Sequence, residues 1–417
     1  NMATAEAVRI AVPILPLISG AVEVKEFVLV KPDIRLYVDA KGKPNWDFGG
    51  GKAKPAETVK DKDDDHKAGL PDGMSDFKLG DVRIESGRIS YTDARTGATE
   101  VVENVDLAIT LPSLEGPLDL KGGLAWKGER IALELAMASP AAAASGGKSA
   151  LKTKVSGSHL DMSFDGEANF ADGFALAGAA GIKTPSIKKL SAWAAAPIAV
   201  EGDILGPFEA NGRLAFAKGR IAFTGATLAI DAIRGKGDFA LNTAGAVPAI
   251  TAKLALGELN LNPYLPAPKA DPAAGGDSGP GKWSEEPIDL SGLKAASADL
   301  DLSVERLLVQ DIKVGQSQIT AKLRGGVLDL NLVKMALYDG AGVGTIKVDA
   351  SKATPRISES LKLTGIQAGP LLADAAGFDK LSGAGDLELA VNATGVSEAA
   401  MVKSAQGGGA FAFKNGA

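Results

Sequence analysis

Apolar and polar residues alternate one for one along much of the chain. Val105, Leu107, Ile109 and Leu111 interleave with Asp106, Ala108 and Thr110, and Ile131, Leu133, Leu135 and Met137 with Ala132, Glu134 and Ala136. Ala298, Leu300, Leu302 and Val304 alternate with Asp299, Asp301 and Ser303, and Leu387, Leu389, Val391 and Ala393 with Glu388, Ala390 and Asn392. Successive strand residues point to opposite faces, so each run predicts a strand with one apolar and one wet face. Parallel strands covered on both faces would read as unbroken apolar runs. The links are short: Glu85-Ser86-Gly87 and Arg324-Gly325-Gly326 read as hairpin turns. Between Val327 and Tyr338 the apolar phase slips from Leu328, Leu330 and Leu332 to Val333, Met335 and Leu337, which predicts a β-bulge.

Helical periodicity is scarce. Thr184-Pro185-Ser186 can cap a short helix carrying Ile187, Leu190 and Trp193. Pro370 can start another across Leu371 to Phe378, and Ser397 can cap Glu398 to Gln406 with Gly407 closing it. The expected fold is therefore mainly β: a long, meandering, highly twisted antiparallel sheet with a few short helices. Stretches 51–76 and 266–282 lack periodicity and read as a charged loop and a Pro/Ala/Gly linker, with Pro140 to Ser149 as a smaller one. They divide the chain into β regions 1–50, 77–265 and 283–417.

Of the 417 residues only 5% are aromatic, whereas 51 are Gly, which favours a thin apolar layer over a thick core. The formal charge of −6 is spread along the chain, and no Lys/Arg concentration of the kind nucleic acid requires is present. There is no cysteine, so disulfides, thiolate nucleophiles and Cys-based zinc sites are excluded. Ile10 to Ile18 is apolar but too short to span a bilayer and carries two prolines.

Candidate chemistry is thin. Asp61, Asp63 and Asp65 alternate like the start of a calcium loop, but His66 and Asp72 stand where Gly and Glu are needed. Of the two histidines, His66 lies in the charged loop-like stretch and His159 follows the turn-like Ser156-Gly157-Ser158, so both read as surface residues against the geometric demands of a triad. Gly340, Gly342 and Gly344 imitate part of a dinucleotide fingerprint but read as a glycine turn between strands. No cofactor, metal or catalytic residue is expected, and the chain is not read as an enzyme. On alternation alone, closed sandwiches and an open groove remain equally open.

Four segments decide between them. Residues 15–48 carry Pro32, Ile34, Leu36, Gly42, Asn45 and Trp46 in the order of an apolar strand, a P-x-I-x-L strand and a Gly…Asn-Trp ending. The others are Pro185 to Trp193, Leu259 to Leu265 (LNLNPYL, with Pro263 and Tyr264) and the region from Trp283 through LYDGAGVG, GPLLADAAGF and LSGAGDLELAVNATG. Together they resemble the AsmA family of Gram-negative envelope proteins, which is similar to TamB and YhdP and more distantly to chorein-type bridge proteins. In the third of these segments the family usually has Asp where Asn260 stands.

The resemblance implies a periplasmic β-body tethered in the inner membrane by an N-terminal helix that this piece lacks. It also implies that the sheet curls into an elongated groove that conducts phospholipid between inner and outer membrane. Expected partners are phospholipid acyl chains, the inner membrane and outer-membrane components. The candidate groove liners are Val105, Leu107, Ile109, Leu133, Leu135, Leu300, Leu302, Leu328, Leu330, Leu387 and Leu389. Family-motif structural positions are Pro32, Gly42, Asn45, Trp46, Trp193, Pro263 and Tyr264. The alternative is a non-transporting assembly factor for outer-membrane proteins that pairs through strand edges or loops.

Overall fold

The computed structural model describes residues 2–11, 24–46, 79–170, 173–198, 202–265, 283–378 and 380–414. The stretches 51–76, with Asp61, Asp63, Asp65 and His66, and 266–282 lie outside the described residues. Contacts divide the chain into two compact units, Asn1–Pro197 and Ile198–Ala417. That boundary falls inside 77–265, which the sequence presents as one region.

The first unit holds β1 (Ala3–Thr4), β2 (Ala7–Ala11), β3 (Val24–Val30), β4 (Asp33–Val38), β5 (Leu79–Asp93), β6 (Ala98–Leu111), β7 (Leu118–Trp126) and β8 (Glu129–Met137). After helix α1 (Pro140–Ala144) come β9 (Ser149–Gly157), β10 (Asp161–Asn169), β11 (Ala175–Thr184) and helix α2 (Ile187–Trp193). From β5 to β11 each strand pairs antiparallel with the next. On the other edge of β5 lie β3 and β4, both parallel to it, with β2 beyond β3 and β1 beyond β4.

The second unit begins with β12 (Phe208–Ala217), β13 (Arg220–Ile230), β14 (Ile233–Asn242) and β15 (Ala249–Asn260). After helix α3 (Gly292–Ala295) come β16 (Ser297–Val309), β17 (Ile312–Val314), β18 (Ser317–Arg324), β19 (Val327–Leu337), β20 (Gly340–Asp349) and β21 (Arg356–Gln367). Helix α4 (Ala368–Ala376), β22 (Ala384–Thr394), helix α5 (Glu398–Ser404) and β23 (Gln406–Lys414) complete it. Its neighbours are antiparallel except β15 and β16, which run parallel. On its other edge β16 is met by β17 at one end and β18 at the other.

The architecture is mainly β, as the alternation predicts, and it is not closed into a barrel. All the alternating runs named above are strands. The antiparallel expectation needs one correction: β3–β5, β4–β5 and β15–β16 are parallel. A parallel pair needs a crossover of a dozen or more residues, whereas a hairpin needs two. The two long non-periodic stretches fall between β4 and β5 and between β15 and β16, where the chain direction fails to reverse.

Local expectations fare unevenly. Gly325-Gly326, with φ of 56° and 83°, forms the two-residue turn between Arg324 and Val327, as expected. The bulge in β19 is present: the register jumps from Leu332 to Met335 and leaves Val333 49% exposed. Glu85-Ser86-Gly87 is not a hairpin turn. It lies within β5, which runs on to Asp93 through a bulge at Ser86 (φ 52°) whose N–H is received by Asp106 Oδ1 at 2.8 Å. Gly225 (φ 57°) with Asp238 and Gly365 (φ 65°) with Asp386 repeat that device at 2.8 Å each.

Residues 140–149 are not a linker, because Ser139 caps α1 through the Ala142 N–H and β9 starts at Ser149. Gly340, Gly342 and Gly344 are not a turn either; they lie inside β20, and Tyr338-Asp339 (φ 46° and 63°) makes the hairpin. A Cβ on Gly342 would stand 2.7 Å from Leu363 and 2.9 Å from Met335, so the glycine makes room for neighbouring side chains. Helix α2 is capped by Ser186 as predicted. Helix α4 starts two residues before Pro370, and α5 ends at Ser404, with Gly407 in β23.

Candidate apolar groove

Residues directly opposite each other across a ladder share a face, so the register traces rows across each unit. In the first unit one row runs from Phe27 through Val82, Ile109, Leu120 and Leu135 to Thr153 and Phe164. The next runs from Leu29 through Ile84, Leu107, Gly122 and Leu133 to Val155 and Met162. Leu107, Ile109, Leu133 and Leu135 thus lie together on one face, each half-buried. Val105 points to the same face but is 0% exposed beside the bulge, where a Cβ on Gly87 would meet Ile84, Pro32 and Val105. It is sealed in the packing. The other face is wet and charged, with Lys152 paired to Asp165 at 2.9 Å.

Four rows cross the second unit. One passes Leu228, Leu256, Val304, Ser317, Met335, Leu363 and Leu387. The next passes Leu254, Leu302, Ile319, Leu332, Leu361 and Leu389. The third holds Phe223, Phe239, Ala252, Leu300, Ala321, Leu330, Ile346, Glu359 and Val391. The fourth holds Ile250, Ala298, Leu323, Leu328, Val348 and Ile357. All six candidates of this unit therefore share one face, and all six are half-buried.

The face is closed at one end. Leu256, Val304, Leu307, Val314, Ile319, Met335, Leu337, Leu363 and Ile366 form a buried cluster with Leu371 of α4 against it. Leu302, Leu330 and Leu387 pack on the cluster's margin. On the opposite face a cavity of about 630 Å³ is lined by Arg234, Lys236, Lys334 and Glu305 over Ala255 and Ser303.

The motif residues are joints. Pro32 is buried where β3 passes into β4, and its carbonyl accepts the Arg88 N–H at 2.7 Å. Gly42 (φ 83°) closes the loop after β4. Asn45 then mimics a strand residue: its Nδ2 donates to Arg35 O at 2.7 Å and its Oδ1 accepts from Tyr37 N at 2.9 Å. Trp46 lies 6.3 Å from Tyr91.

Trp193 of α2 meets Trp126 edge-on at 4.6 Å and His159 at 5.4 Å. His159 Nε2 is 3.7 Å from Glu129 Oε1, while Ser158 Oγ donates to Glu129 Oε2 at 2.5 Å. Because the hydroxyl reaches the carboxylate directly, the imidazole does not stand between them as a triad base would. Pro263 sits in a 3-10 turn that sets Tyr264 so that its Oη donates to Asp231 Oδ2 at 2.6 Å. Burial, and then that carboxylate, push the Tyr264 phenol up to about 12.

A latch that no sequence signal marked repeats this between the β19–β20 hairpin and α4. Tyr338 Oη donates to Asp374 Oδ2 at 2.8 Å, and Lys313 Nζ reaches the same oxygen at 3.2 Å. The two donors hold the Asp374 carboxyl below the ordinary range.

Among the described residues no helix is long and apolar enough to cross a membrane. The model of the AsmA family matches residues 1–157 and 145–417. No curated protein and no solved structure matches the sequence.

Proposed function

This chain belongs to the AsmA family, and from that premise we propose that it binds phospholipid on its apolar face and conducts it between inner and outer membrane in the periplasm. Family membership is consistent with an envelope or lipid-transport role. The observation that carries the finer reading is the face itself: in each unit, half-buried aliphatic side chains follow one another across successive strands with charged residues behind them. A row in the second unit crosses eleven strands from Ala210 to Phe411. At about 4.8 Å per strand that is roughly 48 Å, some three times the ~15 Å of hydrocarbon in one bilayer leaflet.

The energetics favour a continuous surface over a tight site. Each methylene taken from oil to water costs about 0.8 kcal/mol, so two 16-carbon tails resist leaving by roughly 25 kcal/mol. A wall of aliphatics offsets much of that at every step, and uniformity along the rows leaves no deep trap. Val105 has no surface for a lipid, so the working wall is the ten other candidates.

The test is Leu302→Asp combined with Leu389→Asp, two residues of one row, with Lys322→Asp on the wet face as control. The double variant is expected to lose most co-purified phospholipid by mass spectrometry while its β circular dichroism persists. The control is expected to keep its lipid. Unchanged lipid in a folded double variant would overturn the reading and return the chain to the assembly-factor alternative.

A further inference from the structure

Along the rows traced in both units, one side chain is ionisable: Glu359. It sits in β21 between Ile357 and Leu361, with Ile346 and Val391 opposite on the neighbouring strands. It is exposed, and among the described residues it makes no ion pair or hydrogen bond. A carboxylate on an oily wall loses hydration when hydrocarbon lies beside it, and that cost persists unless a counter-charge arrives. Inward-pointing charges also serve to protect sheet edges. Here β21 is no edge, because β20 and β22 pair with it on both sides.

Position along the strand gives the carboxylate an orientation relative to the closed end. Leu363, in the same strand, is 3% exposed within the buried cluster. It lies four positions along from Glu359, about 13 Å on a strand, close to the ~15 Å depth of a leaflet's hydrocarbon. An amphiphile with its tails toward Leu363 and Met335 would therefore present its head group at Glu359.

Resting on the phospholipid reading above, we propose that Glu359 is a head-group subsite for phospholipids ending in a primary ammonium. Such a group supplies both the missing positive charge and N–H donors for the carboxylate. Phosphatidylglycerol, anionic and without a cation, is disfavoured at the same place.

The experiment exposes the purified full chain to vesicles of equimolar phosphatidylethanolamine and phosphatidylglycerol, re-isolates it and measures the ratio of the two lipids bound. Wild type is expected to hold the ethanolamine lipid in about threefold excess over the vesicle ratio, the size of an exposed ion-pair effect. Glu359→Gln, isosteric and uncharged, is expected to return the ratio to that of the vesicle, and Glu359→Lys to invert it. Equal ratios in wild type and both variants overturn the subsite while leaving lipid binding intact. No uptake of either lipid by wild type overturns the phospholipid reading, and the subsite with it.

Discussion

Asp231 shows how single residues hold this sheet in shape. Its carboxylate accepts the Tyr264 hydroxyl and the N–H groups of Leu205 and Gly206, the last two at 3.1 and 2.8 Å. Tyr264→Phe removes one of three donors and is expected to cost about 1 kcal/mol, read as a lower urea midpoint. Asp93 is a second such joint. Arg95 donates to it through its side chain at 3.0 and 2.6 Å and through its backbone N–H at 2.9 Å, which pulls the carboxyl down to about 2. A depressed carboxyl stabilises the fold above its unfolded value and loses that contribution as pH falls through the folded one. Stability is therefore expected to drop between about pH 4 and pH 2. Asp93→Asn should be less stable than wild type at pH 7, with the gap in urea midpoint closing near pH 2.

Strands with identical alternation differ in where they bend, and the bends come from a repeated element. A bulge residue at positive φ gives its N–H to an Asp on the next strand: Ser86 to Asp106, Gly225 to Asp238, Gly365 to Asp386. Each bulge adds a residue to one strand and increases the local twist. Without the acceptor the freed N–H turns to water and the bulge loosens. Asp238→Ala is expected to cost about 1 kcal/mol and to raise amide exchange at Gly225. A further bulge, at Val333, is legible in the sequence because the apolar phase changes there. The one at Ser86 is not, because a bulge and a hairpin both favour small residues at positive φ. Register with the neighbouring strands, absent from local sequence, decides between them.

At the scale of the chain, two compact units each carry a row-built apolar face, and the second also holds a closed cluster. Leu307 is 6% exposed in that cluster. Leu307→Ala is expected to destabilise the second unit by about 2–5 kcal/mol through the cavity it leaves. Calorimetry should show that unit's transition falling in temperature while the first unit's stays in place. On the proposed lipid path, tails would meet that cluster as a floor in the second unit, so blocking changes are expected to act strongly there.

The sequence by itself determined the mainly β class, the amphipathic identity of the alternating strands, and the caps of α2 and α5. Those are local facts, since side-chain period and turn chemistry act over a few residues. It also contained the family, through motifs such as Leu259 to Leu265 and Asn45-Trp46. The tertiary structure decided the rest. That β15 and β16 run parallel, that Val105 is sealed while Leu107 is not, and that Glu359 stands alone among aliphatics all depend on which strand lies beside which. Pairing is a contact between residues distant in the chain, and alternation is the same whatever the partner.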